Sequence, residues 1–390
     1  MKLAFTGMAA LLAGTAPLLA GGIERAPQSL NILFEQGNYA ELSFGAADPT
    51  VSGTDTGLPA TVVPPVGLAP RGTGDVANGY GFLGLGYKHQ FNEALSAALI
   101  VEQPFGADVS YQSFNPVTGE GGSSLLGGTM ARVDSTSFTA LMRYKMPNNV
   151  SVHGGLRGSQ ADAEVSLDGF AYGGPVPPTL SGYNVQLDKD IGLGFVVGAA
   201  YEVPAIAGRV SLTYNSKVEH EFDTVERLNG NIIGRSTTTV DTPESITLEA
   251  QSGVAADTLV FGSIRWVNWS EFKVDPTVFT GLNNGNGLVS LEDTTTYTIG
   301  VGRKFNETWS GSAALVYEPE NDDLVSPLAP TNGRVGVTLA AVYTMDNMKI
   351  TTGINYSKLG DARPQTGGAP RAQMEDSDIL GIGVRIGYSF

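Results

Sequence analysis

The chain of 390 residues contains no cysteine, so it forms no disulfide and holds no thiolate metal site. Its basic residues are scarce: 23 Lys and Arg stand against 39 Asp and Glu, a net charge of −16, which argues against nucleic acid as a partner. Histidine is rarer still. His89, His153 and His220 are the whole supply, none within a nucleophile motif and none clustered at metal-ligand spacing. Neither catalysis nor metal or cofactor binding is expected. Beyond the N-terminus no run approaches the roughly 20 apolar residues of a membrane-spanning helix.

What is present instead is alternation. Leu380-Gly381-Ile382-Gly383-Val384-Arg385-Ile386-Gly387-Tyr388-Ser389-Phe390 is apolar or aromatic at every even position, the pattern of a strand with one greasy outer face. In a soluble sheet such a strand is an unprotected edge, whereas a barrel closed in lipid pairs it on both sides. The other end carries Met1-Lys2 and the apolar run Leu3 to Ala13 before Ala16-Pro17-Leu18-Leu19-Ala20, as in a secretory signal peptide, with cleavage expected after Ala20.

Period-two segments recur at 38–47, 80–91, 94–103, 132–145, 150–160, 182–203, 208–222, 242–254, 257–274, 293–305, 308–318, 333–345, 348–359 and 378–390. Their connectors alternate in length. Those at 91–94, 145–149, 203–208, 254–257, 305–308 and 345–348 are short and rich in turn residues; those at 48–79, 104–131, 161–181, 223–241, 275–292, 319–332 and 360–377 are long. Short turns on one rim and long loops on the other are the asymmetry of the bacterial outer membrane. The expected fold is therefore all-β: a transmembrane antiparallel β-barrel of about fourteen strands over 38–390, preceded by a signal peptide at 1–20 and a short segment at 21–37. Tyr144, Tyr201, Tyr214, Trp309, Tyr317, Tyr343, Tyr356 and Tyr388 fall near strand ends, where aromatic girdles meet the lipid interface. The remaining rivals are a general water-filled porin and a purely structural barrel.

Three stretches carry a family resemblance. Thr242-Pro243-Glu244-Ser245-Ile246 followed by Arg265-Trp266-Val267-Asn268-Trp269-Ser270-Glu271-Phe272, the region Gly22 to Glu35, and the closing region from Asn332 together resemble the FadL family of outer-membrane transporters for long-chain fatty acids and aromatic hydrocarbons. The resemblance implies passive uptake of hydrophobic compounds, most readily long-chain fatty acids, by surface capture, lumen binding and lateral release. It also implies an N-terminal hatch, here shortened to 21–37 and lacking the family's Asn-Pro-Ala element.

Proline cannot donate to a strand ladder and glycine loosens it, so Pro104 and Gly106 either end the third strand or kink it. The resemblance assigns that position to a lateral opening, with Phe105 beside it. The loops at Leu58 to Val66, Ser124 to Leu126 and Phe170 to Leu180 are unexpectedly apolar, and either pack on one another or form a capture groove, in which Phe170, Val176 and Leu180 are the candidate contacts. Glu41, Arg143, Arg157, Arg303, Arg334 and Arg385 fall on polar strand faces. Arg143, Arg157 and Arg385 are candidates for holding a substrate carboxylate, or else pair with acidic neighbours such as Glu102 and Glu249. Expected partners are hydrophobic small molecules, outer-membrane lipid and lipopolysaccharide, and the barrel assembly machinery through the C-terminal strand, with the protein a monomer.

Overall fold

The computed structural model describes residues 23–58, 68–174 and 179–390, apart from 27, 116, 119, 322 and 323. The expected signal segment lies outside these residues. Fourteen strands close into one antiparallel barrel. They are β1 (Tyr39–Thr50), β2 (Tyr80–Gln90), β3 (Leu95–Glu102, resuming as Gly106–Ser110), β4 (Met130–Lys145), β5 (Val150–Leu167), β6 (Tyr183–Val203) and β7 (Gly208–Asn215 and Val218–Leu228). The second half comprises β8 (Asn231–Thr242 and Ser245–Ala255), β9 (Thr258–Val267), β10 (Thr294–Lys304), β11 (Trp309–Glu318), β12 (Asn332–Met345), β13 (Met348–Gly360) and β14 (Asp378–Ser389). Closure is made by β14 against β1, in register from Tyr39 opposite Ser389 to Thr50 opposite Asp378. Every strand thus has two neighbours, and the ladder closes on itself without a free edge strand.

Alternation sets the two faces. On β4 Ser137, Thr139, Leu141 and Arg143 point inward and are buried, while Phe138, Met142 and Tyr144 point out and are exposed. On β5 the inward set is Ser151, His153, Arg157 and Ser159, and Leu156 on the outside is 70% exposed. An outer surface this apolar is stable only against hydrocarbon. Aromatic pairs mark the rims: Trp309 and Tyr343 lie 5.0 Å apart near the short turns, and Tyr297 and Tyr317 stack at 6.4 Å toward the long loops.

Several boundaries differ from those expected, among them the end of β5 at Leu167 rather than 160. Residues 223–241 were expected to be a loop, but β7 and β8 run on past the wall as a hairpin whose tight turn is Asn229-Gly230, with φ of 51° and 79°. Two consecutive left-handed residues are what a type I′ turn requires. Both strands are also interrupted side by side, at Ser216-Lys217 and at Pro243-Glu244, because Pro243 has no N–H for the ladder. Strand β9 stops at Val267 rather than 274, and the chain continues as a loop carrying the short helix α1 (Thr277–Leu282).

Candidate functional site

The segment from Ile23 to Gly37 lies inside the barrel and is tied to its wall by charge. Glu24 accepts from Arg265 Nη2 at 2.6 Å, Arg25 reaches Asp134 at 3.4 Å, and Gln28 accepts from Arg157. Asn31 Oδ1 accepts from Arg209 at 2.6 Å, and Arg143 donates to the Leu33 carbonyl at 3.2 Å. The Phe34 ring lies between Arg143 and Arg209, whose guanidinium carbons are 4.4 and 4.0 Å from its centroid. Glu35 pairs with Lys349 at 3.1 Å, and Lys88 donates to the carbonyls of Glu35 and Gly37. In a wide aqueous pore these cations would be hydrated; here the N-terminal segment supplies their partners.

The same segment reaches the break in β3. Arg25 N donates to the Pro104 carbonyl at 2.7 Å and Gly106 N to the Ile23 carbonyl at 2.8 Å, so the plug runs antiparallel to the interrupted strand. On β4 the pairing halts at Glu102 opposite Ser137 and resumes at Gly106 opposite Asp134, leaving three residues against two, a bulge. Ser135 Oγ bridges it, accepting from Phe105 N at 3.0 Å and donating to Phe105 O at 2.6 Å. The strand therefore kinks at Pro104 and continues.

On the other side β3 leaves its neighbour. The β2–β3 ladder runs from Gln90 opposite Ser96 only as far as Leu85 opposite Val101, and Tyr80 to Gly84 pair with β1 but not with β3. The freed Leu83 N–H is met by the side chain of Gln103, at 2.9 Å. Farther out the chain rejoins through Asn78 N and Asp108 O at 2.9 Å. The result is a short gap in the wall.

Three spaces lie along the barrel. A lumen cavity of about 200 Å³ is lined by Glu41, Glu102, Glu249, Arg265 and Arg385, and also by Leu83, Leu85 and Gln103, so it extends to the gap. Above it an apolar chamber of about 80 Å³ is walled by Ile23, Phe105, Phe222, Val240, Leu288 and Leu328 among others, with no Lys or Arg among the described residues of its lining. A groove of about 1250 Å³ opens among the long loops, lined by Tyr172, Leu180, Phe279, Leu282 and Thr366, and it shares Phe272, Leu288 and Val289 with the chamber.

The expected site residues are distributed over these spaces unevenly. Phe105 is buried at the chamber wall, packed edge-on against Trp269 at 5.8 Å. Leu180 lines the groove, but Phe170 turns away into the cluster of Val51, Leu125 and Leu126 that caps the barrel mouth. Val176 lies outside the described residues, as does most of the apolar stretch after Leu58. Arg143 pairs with Glu202 and Arg157 lies 3.6 Å from Glu102, in addition to their contacts with the plug. Arg385 lines the lumen cavity with Glu41 at 3.9 Å. The loop after β9 and the inward residues His220, Phe222 and Val240 of the extended hairpin were not foreseen as site residues. The signal for the hairpin was Asn229-Gly230 between alternating strands.

A barrel with an apolar outer belt, a plugged lumen, an apolar chamber and a gap in its wall is built as an outer-membrane channel for hydrophobic molecules. A sequence model described as "Outer membrane protein transport protein (OMPP1/FadL/TodX)" matches residues 6–379, and the chain belongs to that family. A Pseudomonas aeruginosa FadL homologue has a similar structure, with a TM-score of 0.71 at 16% identity over 92% of each chain. The Pseudomonas putida toluene transporter TodX aligns with a TM-score of 0.60 at 15% identity over 97% of this chain and 98% of its own. The Ralstonia pickettii toluene transporter TbuX aligns at 0.58 and 13% identity, over 91% and 90%. No match to a curated protein sequence was found.

Proposed function

We propose that this protein passes uncharged hydrophobic molecules from the cell surface into the outer membrane by lateral diffusion through its wall. The observation that carries the reading is the interrupted β2–β3 ladder beside Gln103, Pro104 and Phe105, with a lumen cavity reaching that gap at Leu83 and Leu85. The groove among the loops captures the solute, the chamber takes it in, and the gap releases it to lipid. No energy source is required when each station is apolar and the sink is the membrane.

Size couples entry to the plug. At about 80 Å³ the chamber is smaller than the ~150 Å³ cavity that holds a benzene ring, so a single-ring compound enters by displacing a lining side chain such as Ile23. Ile23 is bonded through its carbonyl to Gly106 at the kink, so its displacement loosens the plug where the wall is open.

The absence of Lys and Arg among the described residues of the chamber lining favours neutral solutes such as monoaromatic hydrocarbons. Long-chain fatty acids are the second reading, supported by Arg385: it lines the lumen cavity, and its Nε, 3.9 Å from Glu41 Oε2, has no hydrogen-bond partner among the described residues. The test is uptake of labelled toluene and of labelled oleate by cells lacking their own transporter. It compares the native chain with one in which Gln103 to Gly106 is replaced by a regular strand sequence. Loss of uptake on straightening, with the barrel folded, is the expected result. Unchanged uptake would remove the wall gap from the mechanism, and large steady ion currents with no uptake would make the protein a porin.

A further inference from the structure

The chamber's walls contain a few polar groups, and all but one are engaged. Ser135 bonds both backbone groups of Phe105, and Thr242 Oγ1 donates to the Val218 carbonyl at 3.3 Å. Asp162 is 44% exposed and faces Lys189 at 3.9 Å on the outside. The exception is His220, fully buried on the inward face of β7 and stacked on Phe222, ring centroids 5.3 Å apart at 14°. Its Nδ1 lies 3.2 Å from Asp190 Oδ2, and because a carboxylate only accepts, Nδ1 holds the proton. Asp190 is itself fixed by the Glu221 backbone N–H at 3.2 Å. In the neutral ring the remaining nitrogen is an acceptor, and Nε2 is buried with no partner among the described residues.

We infer that the chamber recognises aromatic molecules bearing one hydrogen-bond donor, a phenol or an aryl alcohol, by donation of the solute's O–H to His220 Nε2. The inference rests on the reading of the chamber as a station for uncharged solutes. A ring that displaces a lining side chain such as Ile23 packs on the apolar walls, and its hydroxyl meets the acceptor left unpaired among the described residues of those walls. A carboxylate fits poorly: it has no proton to give at neutral pH, finds no Lys or Arg among the described residues of the lining, and would sit near Asp190, which is paired with His220. A plain hydrocarbon binds by area alone and leaves Nε2 unsatisfied, as in the free protein.

Toluene, p-cresol and p-toluate share one ring and differ in that single group. Their equilibrium binding is measured to the purified full-length barrel in detergent, with empty micelles as the blank, for the native chain and for His220→Phe, which keeps the stack on Phe222. Native protein is expected to bind p-cresol roughly tenfold tighter than toluene, the worth of one hydrogen bond to an otherwise unpaired group, with p-toluate weakest. His220→Phe is expected to abolish the preference, so that p-cresol and toluene bind that variant alike. Equal binding of toluene and p-cresol by the native chain overturns the inference but leaves the chamber a hydrocarbon site, and this comparison needs no variant to fold. A preference that survives in His220→Phe also overturns it, as does tightest binding of p-toluate. Binding of none of the three overturns the chamber reading itself, and the inference with it.

Discussion

Gly106 and Arg25 occupy one another's space: a Cβ built on Gly106 would lie 2.4 Å from Arg25 Nε. Arg25 stands over the Tyr80 ring at 4.8 Å and bonds Pro104 O through its backbone, so the missing side chain at 106 is the slot in which the plug meets the kink. Gly106→Val fills that slot with a branched side chain. Strand geometry tolerates valine, so the barrel should assemble normally while Arg25 is expelled. Single-channel recording in planar bilayers should show conductance raised severalfold over the native chain. Native-like conductance would mean that Arg25 finds another seat.

The contact between Glu24 and Arg265 joins residues 241 apart in sequence, with side chains 12% and 9% exposed. Glu24→Gln removes the charge and one of the two acceptor oxygens, so the buried Arg265 guanidinium keeps only neutral acceptors, the amide oxygen and the hydroxyls of Ser245 and Thr247 at 3.1 and 3.0 Å. Losing one partner of a pair this buried costs about 3 kcal/mol, on the order of a hundredfold in the docking equilibrium of the plug. The chain has no cysteine, so Ser29→Cys provides a single reporter within the segment. Its maleimide labelling should accelerate by about that factor in the Glu24→Gln background. An unchanged rate would show that the remaining contacts hold the plug alone.

The barrel was legible in the sequence because its determinants are local. A period of two and a short turn of Asn, Asp or Pro every second connection are readable within a dozen residues, and Asn149, Asp257 and Asp346 take the left-handed turn conformation. Pro104 was readable as an irregularity for the same reason. Whether it ended or kinked the strand was not, because the answer depends on Ser135 and Ile23, which meet it only in the folded barrel. The lumen arginines followed the same rule. Alternation placed Arg143 and Arg157 inside, but their partners Leu33, Gln28 and Glu202 come from segments whose position alternation does not encode. A groove was expected in the loops after β3 and β5, yet the largest share of the lining of the groove among the long loops comes from the loop after β9, whose apolar residues are spaced for no regular element except α1.

That loop is held by one carboxylate. Glu226, fully buried on the extended hairpin, accepts from Tyr183 Oη at 2.8 Å and from the backbone N–H groups of Val278 and Phe279 at 2.9 and 2.7 Å. Glu226→Gln replaces one acceptor oxygen by a donor, which cannot serve two N–H groups and a hydroxyl at once. The expected cost is about 2 kcal/mol of local stability in residues 268–293, within the range for an unsatisfied buried group. Hydrogen exchange of the Val278 and Phe279 amides should quicken by roughly thirtyfold, while amides in β4 and β5 stay as they were. Uniform acceleration over the barrel would indicate a global rather than a local effect.

Gln103 separates two accounts of the wall gap. Its Oε1 accepts from Leu83 N at 2.9 Å and so satisfies a backbone donor that β3 abandons by kinking. If the gap is set by backbone, through Pro104, the bulge and the plug, then Gln103→Leu should leave uptake within about twofold of native while exposing an unpaired N–H to lipid, at a cost of about 1–3 kcal/mol. Thermal unfolding in detergent, followed by heat-modifiable gel mobility, should then shift downward with transport preserved. If instead the side chain is the strut that keeps β2 and β3 apart, Gln103→Leu lets Leu83 seek a backbone partner on β3, and uptake falls with no loss of stability. The bonds of Ser135 and Gly106 to the kink, neither of which involves Gln103, favour the first outcome.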